Sequence, residues 1–421
     1  MRHLVIGINF APEAMSTGLY TTQMCEYLAE LDHEVTVLCG QPYFPNWAVH
    51  RGWSKFRYTK RDHGKIDVTH CPHYVPRNPT GIRRIIHHTS FAFAILPILI
   101  WYSLTKRFDL VTVVAPSLMS APFALAFAKV SGARSHLHVQ DFEVEAAFAT
   151  KLIDPETLLG RAALRFEKCC LKRFNLVTTI SPKMLLKLHQ KGVTPDKTYE
   201  LRNWADTSRI KPQEPSQSFK KEIRISTEYV ALYSGNIGNK QGIGIIVEAA
   251  KLLSHRTDLT FLICGNGPAL TDLKRKALGL PNVRFIDLQP HERLSDLLSI
   301  ANIHLMPQIA DAADLLLPSK LTNMFASERP IVATAARGTG LADEIKGVGI
   351  ATPPGDPPKF ARAIEQFLND KELRAEMGKK ARLIALTRWE KNSILTRFEA
   401  RLHELLGTSK RKGKPRGNPR T

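Results

Sequence analysis

Tyr233-Ser-Gly-Asn-Ile-Gly-Asn-Lys-Gln-Gly-Ile-Gly244 joins an apolar run at 229–233, which reads as a strand, to a periodic stretch at 245–253, which reads as a helix. A strand, a glycine-rich turn with one lysine, and a helix N-terminus make an arrangement that holds a phosphate. Free backbone N–H groups and the positive end of the helix dipole face the anion. Gly235, Gly238 and Gly242 allow the sharp turn, and Lys240 adds a full positive charge. The stretch lies in mid-chain, where a second domain would begin.

The pattern on both sides supports that division. Upstream, strands are expected at 2–10, 34–39, 66–71, 109–115, 134–139 and 176–180, with helices at 18–31 and 116–131. A further helix opens at Ser181-Pro182, a cap followed by a proline at the first helical position. A polar linker bearing Pro212 and Pro215 follows Trp204. Strands are then expected at 230–234, 260–265, 283–286, 303–306 and 331–334, and a last helix at 389–406. Apolar strands in repeated βα units mean parallel sheets covered on both faces. The predicted fold class is α/β, two Rossmann-like parallel-sheet domains facing a cleft, with ligands beyond the C-terminal strand ends. The expected divisions are 1–204, 205–387, a helix at 388–407 and a disordered basic tail at 408–421.

At 421 residues the chain is long for a single core, and 43% hydrophobic with 23% charged residues is an ordinary globular composition. The formal charge is +20, and the six Lys/Arg of the tail account for 6 of it, leaving +14 on the body. Such a balance suits anionic small molecules, an anionic membrane or nucleic acid. No interleaved basic–aromatic module is present, so no nucleic acid partner is expected. Six cysteines without a C-x-x-C read as a reduced cytosolic set without structural zinc. The opening residues read as a first strand rather than a signal peptide. The apolar segment 89–104 lies between Arg83, Arg84 and Lys106, Arg107. It reads either as a core helix packed on a sheet or as a helix that dips into one leaflet, with its basic flanks on lipid phosphates.

Chemistry-bearing residues collect at expected strand ends. In the first half, 9–20 links strand to helix with Gly18 at the helix start; it lacks G-x-G-x-x-G, which excludes a nicotinamide oxidoreductase fingerprint there. His138, Asp141, Glu143 and Glu145 follow one strand. His138 would hydrogen-bond a ligand, while Asp141 would bind a hydroxyl or cap the next helix. In the second half, Cys264-Gly-Asn-Gly-Pro268 repeats the strand–turn–helix pattern, and Leu317-Pro-Ser-Lys-Leu-Thr-Asn323 opens another helix at Pro318-Ser319. Three helix N-termini with Lys240 and Lys320 on one rim predict a pyrophosphate site.

That order, YSGNIG–KQG, CGNGP, LPSKLTN, resembles the donor-binding half of retaining glycosyltransferases of family 4 with the GT-B fold, and most of all the colanic-acid type, the fucosyltransferase-like enzymes of bacterial exopolysaccharide assembly. INFAPE, QPYFPNW, CPHYVP, LHVQDFEVE and RNW extend the resemblance through the first half. The resemblance implies an acceptor-binding first domain, a nucleotide-sugar-binding second domain and a last helix that crosses back to the first. It implies that Gly18 lies near donor or acceptor with Asp141 and Glu143, and His138 near the transferred sugar. Lys240 would contact the pyrophosphate. Gly235, Asn236, Gly265, Asn266 and Gly267 would line the donor, with Pro318, Ser319, Lys320 and Asn323 closing the site. Two departures stand out: Asn236 where many members carry arginine, and Asn323 where many carry a ribose-binding glutamate. An amide still hydrogen-bonds ribose. Asp311 and Asp314 are not read as metal ligands, and neither metal nor cofactor is expected.

The implied reaction is transfer of a sugar from a GDP- or UDP-sugar, GDP-fucose among them, to a saccharide or lipid-linked saccharide, with retention and with His138 and Lys240 as the catalytic pair. The implied location is the cytoplasm, peripheral on the inner face of the membrane through anionic lipid. Two other readings stay open: a GT-B-like sugar-nucleotide epimerase, and a non-catalytic nucleotide-sugar-binding protein whose contacts at Asn236 and Asn323 have decayed.

Overall fold

The computed structural model describes residues 1–13, 16–79, 81–149, 154–238, 241–309 and 320–407. Two compact units emerge: Met1–Arg202 with the segment from Asn392, and Asn203–Lys391. Lys240, Pro318, Ser319, Asp311, Asp314 and the basic tail lie outside the described residues.

The first unit contains strands β1 (Arg2–Gly7), β2 (Glu34–Gly40), β3 (Thr59–Lys60), β4 (Asp67–Cys71), β5 (Leu110–Ala115), β6 (Arg134–Val139), β7 (Leu176–Thr179) and β8 (Thr198–Glu200). They form one sheet in the order β3-β4-β2-β1-β5-β6-β7-β8. All neighbours are parallel except β3 with β4. The central strands are buried along nearly their whole length, as strands covered on both faces must be. Ser181 caps the helix Pro182–Gln190 by accepting the Met184 N–H at 3.3 Å, with proline inside the first turn. The expected helix 116–131 divides into a tight turn at Leu118–Ser120 and an α-helix at Ala121–Ser131.

The second unit contains β9 (Tyr229–Ser234), β10 (Leu259–Cys264), β11 (Val283–Ile286), β12 (Ile303–Met306), β13 (Ile331–Thr334) and β14 (Gly349–Thr352). Their order is β11-β10-β9-β12-β13-β14, parallel throughout, with an apolar layer on each face. The closing helix Lys391–Leu405 packs on the first unit. Phe398 meets the His136 ring at 5.4 Å, Thr396 shares a 2.6 Å hydrogen bond with the Tyr27 hydroxyl, and Glu399 lies between His33 and His403.

The apolar segment is neither wholly core nor wholly free. It belongs to a 25-residue helix, Gly81–Thr105, whose one face (His88, Phe91, Ile95, Leu99, Tyr102) is buried in the first unit. The opposite face leaves Phe93 60%, Trp101 62% and Leu104 81% exposed. All six cysteines are free thiols.

Candidate functional site

In the second sheet the strand order reverses at β9, which lies between β10 and β12. Such a reversal splays the loops beyond the strand ends and opens a crevice. The turns after β9 and β10 lock there, backbone to backbone. Gly235 N–H donates to Cys264 O at 2.9 Å, Ile237 N–H to Asn266 O at 2.8 Å, and Ala269 N–H to Ile237 O at 3.0 Å. A methyl on Gly265 would overlap the Gly235 carbonyl oxygen, and one on Gly267 would overlap that of Ile237. These two glycines therefore serve close approach. Asn236 and Asn266 leave their side chains exposed at the rim.

Lys320 reaches the same place from the helix Lys320–Ala326. Its ammonium lies 3.9 Å from the centroid of the Tyr233 ring. Its Cδ and Nζ stand 3.4 and 3.5 Å from where a Gly235 Cβ would be. The Tyr233 hydroxyl donates to Asn236 O at 2.6 Å, so one aromatic side chain supports both the lysine and the turn. Burial lowers the Lys320 ammonium to about 7. Gly242 closes against the segment after β12, with Ile309 Cγ2 at 3.1 Å from its would-be Cβ. Asn323 lies half-buried in the Lys320 helix. The structure thus brings together Gly235, Asn236, Gly265, Asn266, Gly267 and Lys320 at one end of one sheet. A partly charged amine beside two glycine turns is equipped to receive an anion.

In the first sheet the order reverses at β1. Beyond it, Glu13 is buried and accepts the N–H groups of Tyr43 at 2.7 Å and Phe44 at 2.8 Å, and the Asn9 amide at 2.7 Å. Burial raises its carboxyl, against the pull of those bonds. Gly18 is buried in the helix Ser16–Glu30, where a Cβ would stand 3.1 Å from Glu13 O. Its local task is to let helix and loop meet.

His138 is the last residue but one of β6 and is buried, with Nδ1 2.8 Å from Thr178 Oγ1. Burial lowers its pKa to about 3, so the ring is neutral. Glu143 opens the helix Glu143–Ala149, and its Oε1 accepts the Leu118 N–H at 2.7 Å, tying the loop after β6 to the turn after β5. Burial raises this carboxyl to about 7. Asp141 and Glu143 line a small cavity with Ala115, Leu118 and Glu167. Glu145 pairs with Lys187 and with Lys191, which also pairs with Glu167. Glu143 and Glu145 are thus structural ties in this structure.

Sequence reasoning passed over Tyr233, Glu13 and Thr178. Tyr233 belongs to the apolar run of β9, and only the fold shows its ring under Lys320 and its hydroxyl on the turn. A glutamate inside the apolar INFAPE opening was a signal, since a buried carboxylate needs donors. Thr178 acts only across the sheet, and sequence order does not reveal its partner.

Comparison with known proteins gives concordant results. The family described as "Glycosyl transferase 4-like domain" matches residues 17–204, and "Glycosyl transferases group 1" matches residues 215–384. The glycosyl transferase WcaI of Escherichia coli (strain K12), assigned to colanic acid biosynthesis, is 35% identical over 408 residues, covering 94% of this chain and 98% of that protein. Among solved structures, sucrose-phosphate synthase from Thermosynechococcus elongatus superposes with a TM-score of 0.75 at 16% identity, over 97% of this chain and all of that one. Anabaena Alr3699/HepE in complex with UDP-glucose does so at 0.68 and 14%, over 96% of this chain and 100% of that one. At such identities the likeness carries the fold alone, two parallel-sheet α/β domains of the GT-B type.

Proposed function

The chain belongs to the glycosyltransferases that pair a 4-like with a group 1 domain, and from that premise we propose that it moves a sugar from a GDP- or UDP-linked donor, GDP-fucose among the candidates, to a saccharide acceptor in exopolysaccharide assembly of the colanic-acid kind. One observation carries the donor assignment: the glycine turns after β9 and β10 and the Lys320 amine converge where the second sheet reverses. The donor's diphosphate would lie against these turns, with Lys240 as its second cation and with Pro318, Ser319 and Asn323 closing the nucleotide side.

The reaction breaks the bond between the anomeric carbon and the diphosphate oxygen. The acceptor hydroxyl attacks from the same face, and the leaving phosphate takes its proton, so configuration is retained. Lysines and backbone N–H groups supply the field for the departing charge, without a metal. His138 orients the sugar and is not a nucleophile; Gly18, Asp141 and Glu143 lie on the acceptor side. A thermal-shift panel of GDP- and UDP-sugars tests the donor, because a ligand specific to the native state raises the midpoint by mass action. Lys240→Ala should remove transfer while keeping the fold; near-normal rate and donor affinity would end that role. Conversion of donor without acceptor would favour an epimerase instead.

We further propose a lipid-linked acceptor, met in the cytoplasm on the inner face of the membrane. The helix Gly81–Thr105 supports this. Ile82, Ile86, Phe93, Ile100 and Leu104 follow at spacings of four, seven, seven and four residues, so they share one exposed face opposite the buried one. The stripe runs about 33 Å at 1.5 Å per residue. Exposed Arg83 and Arg84 stand at one end and Arg107 at the other, complementary to lipid phosphates. By length and composition the helix could cross a membrane, but its buried face belongs to the core of its unit. An anionic surface is therefore the occupant proposed for it, with the helix lying in the plane. Full-length protein should float with vesicles containing phosphatidylglycerol, and Ile100→Ser/Trp101→Ser/Leu104→Ser should not. Binding unchanged in that variant, or a dimer that covers Trp101, would reject the face.

A further inference from the structure

A line of five buried polar side chains crosses the first sheet. His3 Nε2 lies 2.7 Å from Thr112 Oγ1, which lies 3.0 Å from His136 Nδ1. His136 Nε2 lies 2.9 Å from Thr178 Oγ1, which lies 2.8 Å from His138 Nδ1. All five are buried, on the neighbouring strands β1, β5, β6 and β7. Burial lowers the pKa of His3 and His138 to about 3 and that of His136 well below the ordinary value, so all three rings are neutral.

A neutral imidazole has one N–H and one bare nitrogen, and a threonine hydroxyl has one hydrogen. Each buried threonine hydrogen has, among the described residues, only its two imidazole neighbours to donate to, so neutral His136 forces all four links to run one way. At one end, His3 Nδ1 is buried with no hydrogen-bond partner. In the direction running toward His3, that nitrogen would carry a buried N–H with no acceptor, which costs the full desolvation of a donor. In the opposite direction Nδ1 is bare. His3 then donates from Nε2 to Thr112, Thr112 to His136 Nδ1, His136 from Nε2 to Thr178, and Thr178 to His138 Nδ1. His138 is left with its proton on Nε2, the nitrogen that Thr178 does not hold.

We propose that His3, Thr112, His136 and Thr178 are positioning residues that lock His138 as the Nε2–H tautomer, so that it meets the ligand at the end of β6 as a hydrogen-bond donor and never as a base. The ligand it would meet is a hydroxyl or ring oxygen of the sugar, and that part rests on the glycosyltransferase reading above. A donor to a sugar oxygen steadies the reacting ring without competing for the acceptor's proton, which goes to the leaving phosphate.

The test begins with the whole protein labelled with 15N in histidine. Two-bond proton–nitrogen correlations distinguish the tautomers, and the His138 signal is identified by its loss in His138→Gln. The Nε2–H pattern is expected; an Nδ1–H pattern overturns the proposal. Thr178→Val should then mix the tautomers and lower kcat about tenfold with little change in donor KM, the mark of an interaction made in the transition state. Thr178→Ser should restore both. Thr112→Val, which does not touch His138, should also mix its tautomers. A folded Thr178→Val protein with a pure Nε2–H signal and unchanged kcat would contradict the relay. If Thr178→Val does not fold, the wild-type spectrum decides. Failure to find any transfer would remove the proposed reaction but leave the tautomer answer standing.

Discussion

Lys320 has its ammonium over the Tyr233 ring and its pKa lowered to about 7 by burial. A diphosphate beside it would favour the charged form and raise that value. At pH 8 the free lysine is mostly neutral and the bound one charged, so nucleoside diphosphate binding should take up close to one proton. Calorimetry in buffers of different ionisation heat would measure this, and affinity should fall about tenfold per pH unit above 7 until the bound pKa is reached. Lys320→Met should abolish the uptake. Glu143 has the opposite kind of consequence. Its carboxyl is raised from 4.5 to about 7, so its protonated form belongs to the folded state. The stability it contributes is complete below pH 4.5 and is lost as pH rises through 7. Glu143→Gln should therefore gain on wild type between pH 5 and pH 8 by on the order of 1–3 kcal/mol in urea unfolding. Lys320 was legible from its helix-opening motif. Its value near 7 was not, because the Tyr233 contact and the burial arise only when β9 and the Lys320 helix meet.

The elements that position the site are those with strong local signals. Long buried strands such as β5 and β6 carry continuous apolar runs, and Ser181-Pro182 marks its helix by cap chemistry. The two- and three-residue strands β3 and β8, both at sheet edges, carry no such run: Thr198, Tyr199 and Glu200 are only half-buried. The tight turn at Leu118–Ser120 likewise depends on the Glu143 carboxylate from another element. The glycine turns were legible as turns but not as partners. Their contact makes a sharp prediction. Gly265→Ala places a methyl on the Gly235 carbonyl, so it should part the two turns and lower nucleotide affinity at least tenfold, read by titration. The buried face of the helix Gly81–Thr105 bears out a core helix packed on the sheet, and its exposed apolar face is the surface on which the proposed lipid contact rests.

At the scale of the molecule, two parallel sheets were readable from alternation alone, and so was the return of the last helix from its resemblance. The second unit closes on itself through Trp389, which stacks on Phe325 at 4.6 Å and accepts the Ala205 N–H through its carbonyl at 2.8 Å. Trp389→Ala should cost about 3–5 kcal/mol, seen as an earlier calorimetric transition for the second unit alone. Transfer from a nucleotide-sugar is measured most directly by a product assay. Purified full-length protein is incubated with GDP- and UDP-sugars and a membrane extract as acceptor source, with EDTA present. Nucleoside diphosphate should be released in step with a glycosylated lipid product of unchanged anomeric configuration, and both should be lost in Lys240→Ala. An inverted product, or donor consumed with no acceptor modified, would contradict retaining transfer.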